Sequence, residues 1–329
     1  MIVTRTPLRI SFLGGGTDYP DHFRQHGGQS LGTTINRYSY VTVKALADLF
    51  EHSIRVSYSR TELVRSVEEI EHPAVRACLQ FVRIDRHVEI DYVGDLPART
   101  GLGSSSSFTV GLLHALHAFK GARCTAEQLA AEAVHVEQEL MRERVGVQDQ
   151  YLCAHGGFRH VRCAADGVAA NIVPVLPARL AELEGSLLLL YTGLRRDAHT
   201  VLAEQIDNTR SGAARRALDQ MGALVDQGME LLMTPGRSLN DFGDLLHQTW
   251  RLKRTLSTQV STPAIDQWYE QARAAGAIGG KLLGAGGGGF LLLMVPSDCR
   301  HEVIRAVPEL RAVPFQFEPG GSQVLLHQE

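Results

Sequence analysis

The chain has 329 residues, of which 44% are apolar and 21% charged, and its formal net charge is −3. This length predicts about two domains, and this composition excludes a globally disordered chain. Because basic and acidic residues nearly balance, no strong electrostatic field is available for nucleic acid or for an anionic membrane, and we expect neither as a partner.

The cysteines and the apolar segments indicate a cytoplasmic protein. The five cysteines are odd in number and none are spaced as CxxC, which argues against a disulfide framework and a zinc site. The first residues, MIVTRTPLRISF, lack the pattern of a signal peptide. The longest apolar runs, such as residues 290–295, are too short to span a bilayer. A homo-oligomer is only a default expectation, because the sequence shows nothing specific about oligomeric state.

The first half of the chain alternates short strands with helices. Strands are predicted where β-branched and aromatic residues concentrate, or where apolar and polar residues alternate. One predicted helix opens with T-A-E-Q, which is close to a capping box. The predicted strands cover residues 3–12, 38–45, 54–58, 88–92, 157–161 and 170–175, and the predicted helices cover residues 104–119 and 125–141.

The second half begins after a pause in this pattern near residues 174–177 and is mainly helical. The pause predicts a domain border, with a first domain over residues 1–178 and a second over residues 179–329. The predicted strands cover residues 187–191, 290–295 and 313–317, and the predicted helices cover residues 198–208, 210–233, 239–257 and 263–275.

The first of three glycine-rich segments is PLRISFLGGGTD, over residues 7–18. A strand that contains Arg9 runs into three glycines and ends at Asp18. Glycine allows a ligand to approach the backbone closely, and a guanidinium and a carboxylate beside bare backbone suit a phosphate and a polyol. The alternative is a tight turn after a strand.

The second segment is PARTGLGSSSS, over residues 97–107, and it leads directly into a predicted helix. Backbone N–H groups of a glycine loop at a helix N-terminus form an anion site, and a serine hydroxyl there can reach Mg²⁺. The segment lacks the GKS or GKT ending of a Walker A motif and the third glycine of GxGxxG. The alternative is a cluster of serines that caps the helix.

The third segment is GGKLLGAGGGG, over residues 279–289, directly before a predicted strand. Four consecutive glycines are destabilising there unless something lies against them. Lys281 is one of only four lysines in the protein, which favours a functional role over a simple hairpin turn.

Two further carboxylates stand out between the second and third segments. Glu137 lies near the end of a predicted helix, and Asp149 lies between a glycine turn and the apolar stretch YLCA. A carboxylate in such an apolar setting indicates a buried group with a partner.

Taken in order, these segments resemble the motifs of the GHMP kinases, the superfamily of galactokinase, homoserine kinase, mevalonate kinase and phosphomevalonate kinase. PARTGLGSSSS resembles the specific motif P-x-x-x-G-L-G-S-S, and KLLGAGGGGF resembles the third family motif. The resemblance implies an α+β, two-domain GHMP kinase fold, with an N-terminal ribosomal-protein-S5-like α/β domain and a C-terminal ferredoxin-like α+β domain. It also implies ATP and Mg²⁺ as cofactors.

Within this superfamily, PLRISF-GGGTD together with G-x-QDQY and LLGAGGGGF is similar to the D-glycero-D-manno-heptose 7-phosphate kinases. Gly15 and Gly16 stand where galactokinases carry Glu-His, which argues against galactose. The resemblance implies phosphorylation of the anomeric hydroxyl to a 1,7-bisphosphate, for nucleotide-activated heptose synthesis. Fucokinases share the glycine-rich motif, so a fucokinase or another free-sugar kinase is the alternative. A non-catalytic sensor of a sugar or a nucleotide, with the same fold, is a weaker alternative.

The resemblance also implies roles for individual residues. Asp149 matches the proposed catalytic base, and Arg9 matches an arginine near the transferring phosphoryl group. Glu137 and Ser105 match the magnesium ligands, with the serines on either side left open. The loop around the ATP phosphates would comprise Gly101, Leu102, Gly103, Ser104, Ser105, Ser106 and Ser107. The sugar site would comprise Gly15, Gly16, Thr17, Asp18, Lys281, Gly286 and Gly287.

A sugar that already carries a phosphate needs cations at its far end. Arg195 and Arg196 follow a predicted buried strand and precede a predicted helix, and together they can bind a 7-phosphate through two-point contacts. A solvated loop that happens to contain two arginines is the equally weighted alternative.

Overall fold

The computed structural model describes residues 1–194 and 198–328. Its strands, β1 to β13, are Ile2–Leu13, Gly28–Ala45, Ile54–Ser57, Thr61–Val64, Val88–Gly94, Arg159–Ala164, Gly167–Ile172, Leu187–Tyr191, Gly279–Leu282, Phe290–Met294, Arg311–Ala312, Phe317–Glu318 and Gln323–His327. Its α-helices, α1 to α11, are Pro20–His26, Pro73–Val82, Ser104–Phe119, Ala126–His135, Gln148–His155, Pro177–Ser186, Ala198–Arg210, Arg215–Met233, Asn240–Arg254, Pro263–Ala274 and Arg300–Ala306. A 3₁₀ turn covers Val67–Glu69, and a π-helical turn covers Val136–Leu140.

The first sheet is built around the long antiparallel pair β1 and β2. Its strand order is β13-β1-β2-β5-β3-β4, with β6, β7 and β12 attached through β2. In the central pair, Arg9 lies opposite Thr34 and Ser11 lies opposite Gly32. Helix α3 packs across both strands, and α2, α4 and α5 complete that layer. The N-terminus of α3 is thereby fixed beside the second half of β1.

The second sheet has the order β11-β8-β10-β9 and is antiparallel throughout. Its two central strands read LLLLY and FLLLM, continuous apolar runs that are typical of strands buried on both faces. Alternate residues face different cores. Leu189 packs in a core that includes Phe12 of β1, whereas Leu190 packs in a core with Trp250 and Tyr269. The core on the Leu189 side therefore joins the two halves of the chain.

This architecture confirms the predicted two-domain fold of mixed helix and strand. The last strands depart from the predicted division, because β13 pairs with β1 and β12 pairs with β2. Residues 317–327, expected in the second domain, therefore belong to the first sheet. The border after residue 178 stays a prediction. In the described part of the chain, no helix is both long and apolar enough to cross a membrane.

The predicted helix over residues 125–141 also forms, but not as one continuous α-helix. Thr125 caps it as the T-A-E-Q pattern predicts, since its hydroxyl accepts a hydrogen bond from the backbone N–H of Gln128 at 3.1 Å. The α-helix then changes to the π-helical turn, which carries Glu137. Such turns are rare and are frequently found at functional sites.

Candidate active site

The three glycine-rich segments meet at one cavity of about 670 Å³ between the two halves of the chain. A cavity of this size suits a small-molecule site. From the three segments, its wall includes Arg9, Gly15, Gly16, Asp18, Gly101, Gly103, Ser104, Ser105, Ser106, Lys281, Gly284, Gly286 and Gly288. Residues that the sequence spreads over almost 280 positions are thus brought to one place.

Arg9 and Asp149 form a two-point ion pair in this cavity. Nε of Arg9 donates to Oδ1 of Asp149 at 2.7 Å, and Nη2 donates to Oδ2 at 2.5 Å. The third arm of the guanidinium, Nη1, donates to the carbonyl oxygen of Gly101 at 2.5 Å. Burial alone lowers the pKa of Arg9, but the charge and hydrogen bonds of Asp149 outweigh that effect and raise it. The two-point contact fixes both side chains in orientation.

Gly103 explains how Arg9 passes so close to the second segment. Gly103 precedes the first turn of α3 and has a positive φ of 73°. A Cβ at this position would lie 2.9 Å from Cγ of Arg9, a distance that side chains do not tolerate. Only glycine meets both the backbone and the packing requirement here. The N-terminal end of α3 is thereby kept open toward the cavity.

Asp18 lies at another part of the wall, where it is almost fully buried. Its Oδ1 accepts a hydrogen bond from the backbone N–H of Gly16 at 3.0 Å, and its Oδ2 accepts one from the N–H of Gln148 at 3.2 Å. Burial and the charge of Asp149 raise the pKa of Asp18. A Cβ at position 146 would lie 1.9 Å from Oδ2 of Asp18. Only glycine therefore fits at this position.

Glu137 is fully buried beside the second segment. Its Oε2 accepts hydrogen bonds from the Ser106 hydroxyl at 3.0 Å and from the Gln150 amide at 2.5 Å. Its buried Oε1 has no donor in good hydrogen-bond geometry among the described residues. Burial raises the pKa of Glu137 to about 7, although the hydroxyl of Thr109 also acts on this carboxylate and lowers the pKa. A buried carboxylate beside hydroxyl groups fits a hard cation such as Mg²⁺, which takes oxygen ligands.

The metal prediction named Ser105, whereas the structure places the Ser106 hydroxyl against Glu137. Ser105 lines the cavity in an exposed position. Among residues 1–194 and 198–328, no three His, Cys, Asp or Glu side chains form a cluster that could hold a metal by themselves. A Mg²⁺ here would thus rely on few protein ligands and on phosphate oxygens, as is usual for this ion.

Two buried lysines approach the cavity from the second half of the chain. Lys281 on β9 donates to the carbonyl oxygens of Ser11 at 3.0 Å and Phe12 at 2.9 Å. Lys253 on α9 donates to the carbonyl oxygens of Leu282, at 3.0 Å, and of Gly284. Lys253 was not predicted at the site, although it is one of only four lysines in the chain.

Aromatic rings line one region of the cavity, and these were also missed. Ring centroids of Tyr58 and His72 are 4.8 Å apart, those of His72 and Phe108 are 5.2 Å apart, and those of Tyr92 and Phe108 are 4.8 Å apart. All four residues line the cavity. Flat rings offer a surface on which a planar base can stack. They come from β5, α3 and two connecting segments, so no local pattern links them.

Several predicted site residues lie away from the cavity wall. The Thr17 hydroxyl donates to the carbonyl oxygens of Gly14 or Gln29, so it closes the glycine turn. The Ser107 hydroxyl donates to the carbonyl oxygen of Thr6. Leu102 is buried in the core, and the N–H of Gly287 bonds to Val260. The predicted phosphate ligands, Arg195 and Arg196, lie outside the described residues.

The sequence matches the family "GHMP kinases N terminal domain" over residues 73–157 and "GHMP kinases C terminal" over residues 229–311. It is 27% identical to D-glycero-alpha-D-manno-heptose 7-phosphate kinase of Campylobacter jejuni, over 93% of each chain. It is 25% identical to the L-fucokinase/L-fucose-1-P guanylyltransferase of Bacteroides fragilis, over 97% of this chain but 38% of that longer protein.

Solved structures show the same fold. A D-glycero-D-manno-heptose 1-phosphate kinase from Bacteroides thetaiotaomicron superposes with a TM-score of 0.79 at 23% identity, over 100% of both chains. Galactokinase of Lactococcus lactis, complexed with galactose, gives a TM-score of 0.78 at 17% identity, over 98% of this chain and 95% of that one. At these identities the likeness concerns the fold alone.

Proposed function

The chain belongs to the GHMP kinases, and from that membership we propose that it transfers the γ-phosphoryl group of ATP to the anomeric hydroxyl of D-glycero-D-manno-heptose 7-phosphate. Its relatives are phosphotransferases with an alcohol acceptor, and several act on sugars. The observation that carries the proposal is the Arg9–Asp149 ion pair, set between Asp18 and the glycine loop in one cavity. The product would be the 1,7-bisphosphate.

In this reaction the anomeric oxygen forms a bond to the γ-phosphorus, while the bond from that phosphorus to the β–γ bridging oxygen breaks. ADP leaves with the electron pair, and the hydroxyl proton passes to the carboxylate of Asp149. Asp149 is held in one orientation by Arg9, so the acceptor hydroxyl would meet a carboxylate of fixed position. Positioning and neutralisation of charge are the main needs of phosphoryl transfer.

The nucleotide would lie along the second segment. The first backbone N–H groups of α3 and the positive end of its helix dipole favour the phosphates. The aromatic region formed by Tyr58, His72, Tyr92 and Phe108 would take the base. Glu137 and Ser106, with Ser105 as the alternative hydroxyl, would hold Mg²⁺. When bound, that ion neutralises charge on the β- and γ-phosphates.

The sugar would lie on the opposite side of Asp149, at Asp18. Gly15 and Gly16 line this part of the cavity without side chains. A Cβ on Gly15 would meet nothing closer than 3.5 Å, so this glycine leaves the backbone open to a sugar, whereas the space beside Gly16 is already filled by Gln205 and Leu218. We infer that Asp18 accepts hydrogen bonds from sugar hydroxyls and that Arg195 and Arg196 bind the 7-phosphate. Both halves of the chain line this cavity, so the two substrates would lie between them.

A fucokinase is the second candidate, because the similarity to the fucokinase of Bacteroides fragilis extends over 97% of this chain. A free deoxy sugar needs no cation for a distal phosphate. The first experiment is therefore incubation of the purified chain with ATP, Mg²⁺ and the heptose 7-phosphate, followed by ³¹P NMR of the product. We expect a second phosphate ester on the anomeric carbon. Absence of transfer, or transfer to another hydroxyl, would contradict the proposal.

A further inference from the structure

Lys253 is a buried basic residue that has no role in the phosphoryl transfer proposed above. Its side chain is almost fully buried, and it lines the active-site cavity. Its ammonium group has three N–H donors, of which two are used by the carbonyl oxygens of Leu282 and Gly284. Within the described part of the chain it forms no ion pair with a carboxylate. One N–H donor thus remains available to a ligand.

Lys253 lies next to the second glycine-rich segment. Its acceptor residue, Gly284, packs directly on that segment, since a Cβ on Gly284 would lie 2.4 Å from Cα of Gly101. The carbonyl oxygen of the same Gly101 binds Arg9. Arg9 thus contacts Gly101 directly, and Lys253 contacts the glycine that packs against it, Gly284, from the other half of the chain.

Three buried basic groups, Arg9, Lys253 and Lys281, lie near two carboxylates, those of Asp149 and Asp18. Burial and the positive charge of Arg9 lower the pKa of Lys253 to about 7. Burial and the charges of Lys253 and Arg9 also lower the pKa of Lys281. Cations are costly to bury unless they are paired. A phosphate group entering the cavity would add negative charge beside these basic groups.

We propose that Lys253 is a further catalytic residue, whose ammonium group contacts the γ-phosphate of ATP and shares with Arg9 the neutralisation of the transferring phosphoryl group. This rests on the proposed use of ATP. Lys281 donates instead to the carbonyl oxygens of Ser11 and Phe12 in the first glycine-rich segment. Its predicted role therefore remains at the sugar.

The competing explanation is purely structural, with Lys253 serving only to satisfy two carbonyl oxygens of the third segment. The two explanations differ in how they treat ADP, which lacks the γ-phosphate. A contact with that phosphate affects binding of AMP-PNP and spares ADP. If Lys253 only stabilises the third segment, its loss disturbs that segment and weakens the binding of both nucleotides alike.

The test is calorimetric titration of AMP-PNP and of ADP, each with Mg²⁺, into four variants. Lys253→Met and Lys253→Gln remove the charge, and Lys253→Arg retains it. Lys120→Met is the matched control, because Lys120 also donates to a backbone carbonyl, that of Val82, but lies outside the cavity wall. Circular dichroism of each variant reports whether it folds.

We expect Lys253→Gln to raise the dissociation constant of AMP-PNP about 10- to 100-fold, the usual range for a lost hydrogen bond to a charged group. The dissociation constant of ADP should change by less than about threefold. Lys253→Arg and Lys120→Met should retain tight binding of AMP-PNP. Should Lys253→Met fail to fold, Lys253→Gln decides, since its amide keeps a donor for the loop. Equal losses for both nucleotides overturn the inference alone, whereas a wild-type protein that binds no AMP-PNP overturns the proposed function as well.

Discussion

Arg9 and Asp149 are 140 positions apart in the chain and bind each other through two hydrogen bonds, from Nε to Oδ1 and from Nη2 to Oδ2. The pair links the centre of β1 to the first turn of α5. Each residue holds the other in place, so the two act as a unit. Effects of substituting residues that act as a unit are not additive.

Asp149→Asn should leave the fold and nucleotide binding intact but lower kcat by roughly 10²- to 10⁴-fold, the usual contribution of acid–base catalysis. The amide keeps the shape of the side chain and loses its ability to accept a proton. Steady-state kinetics of ADP release measure this, with the exposed Asp166→Asn as control. Arg9→Gln combined with Asp149→Asn should cost much less than the product of the single effects. Near-normal turnover of Asp149→Asn would remove Asp149 from the mechanism.

Gly103→Ala should lower ATP affinity by about tenfold or more, because its Cβ would lie 2.9 Å from Cγ of Arg9 and displace the guanidinium. Gly121→Ala is a close control. Gly121 has a φ of 75°, against 73° for Gly103, and a Cβ there would contact nothing within 4 Å. Both variants carry the same backbone strain, so only the contact differs. Similar ATP dissociation constants for the two variants would show that the Arg9 contact is unimportant.

The magnesium ligand can be decided by comparing Ser106→Ala with Ser105→Ala. Because Ser106 bonds to Glu137, we expect its substitution to raise the Mg²⁺ concentration required for half-maximal activity by about tenfold. Ser105→Ala should have the smaller effect. If Ser105→Ala has the larger effect, the assignment made from the sequence motif is the correct one and the observed contact of Ser106 is structural.

Nucleotide binding should depend on pH through Lys253, whose pKa burial and Arg9 lower to about 7. The other charges of the cluster are Lys281, Asp18 and Asp149. A bound γ-phosphate raises the pKa of an ammonium group, so AMP-PNP affinity is full below pH 7 and decreases as the pH rises above it. Arginine does not titrate in this range. The ratio of wild-type to Lys253→Arg dissociation constants should therefore increase with pH, and a constant ratio would contradict this.

The sequence predicted those elements of the site that a local residue pattern marks. The strand that carries Arg9 and the helix that follows Gly103 were both predicted within one residue of their ends. Glycine loops that meet a helix or strand need particular backbone conformations, and these leave a readable pattern. Helix α5, in contrast, escaped prediction because it is buried around most of its surface and so lacks an apolar stripe.

The sequence did not predict contacts between residues that lie far apart in the chain. The return of β13 to β1 joins Ile2 to His327, and short strands with exposed side chains give little periodic signal. Lys253 likewise sits in an ordinary amphipathic helix, and only its tertiary contact with Gly284 brings it to the cavity. The pairing of Ser106 rather than Ser105 with Glu137 depends on the rotation of α3 against the π-helical turn, which no single segment specifies.

The most direct test of the account is the ratio of kcat/KM for D-glycero-D-manno-heptose 7-phosphate to kcat/KM for free L-fucose, measured by ADP release with ATP and Mg²⁺. The account predicts a ratio of at least about 100, since contacts between charged groups and the 7-phosphate stabilise the complex. The double variant Arg195→Ala, Arg196→Ala should lose most of this preference. Faster turnover of free fucose than of the heptose phosphate by the wild-type protein would contradict the account.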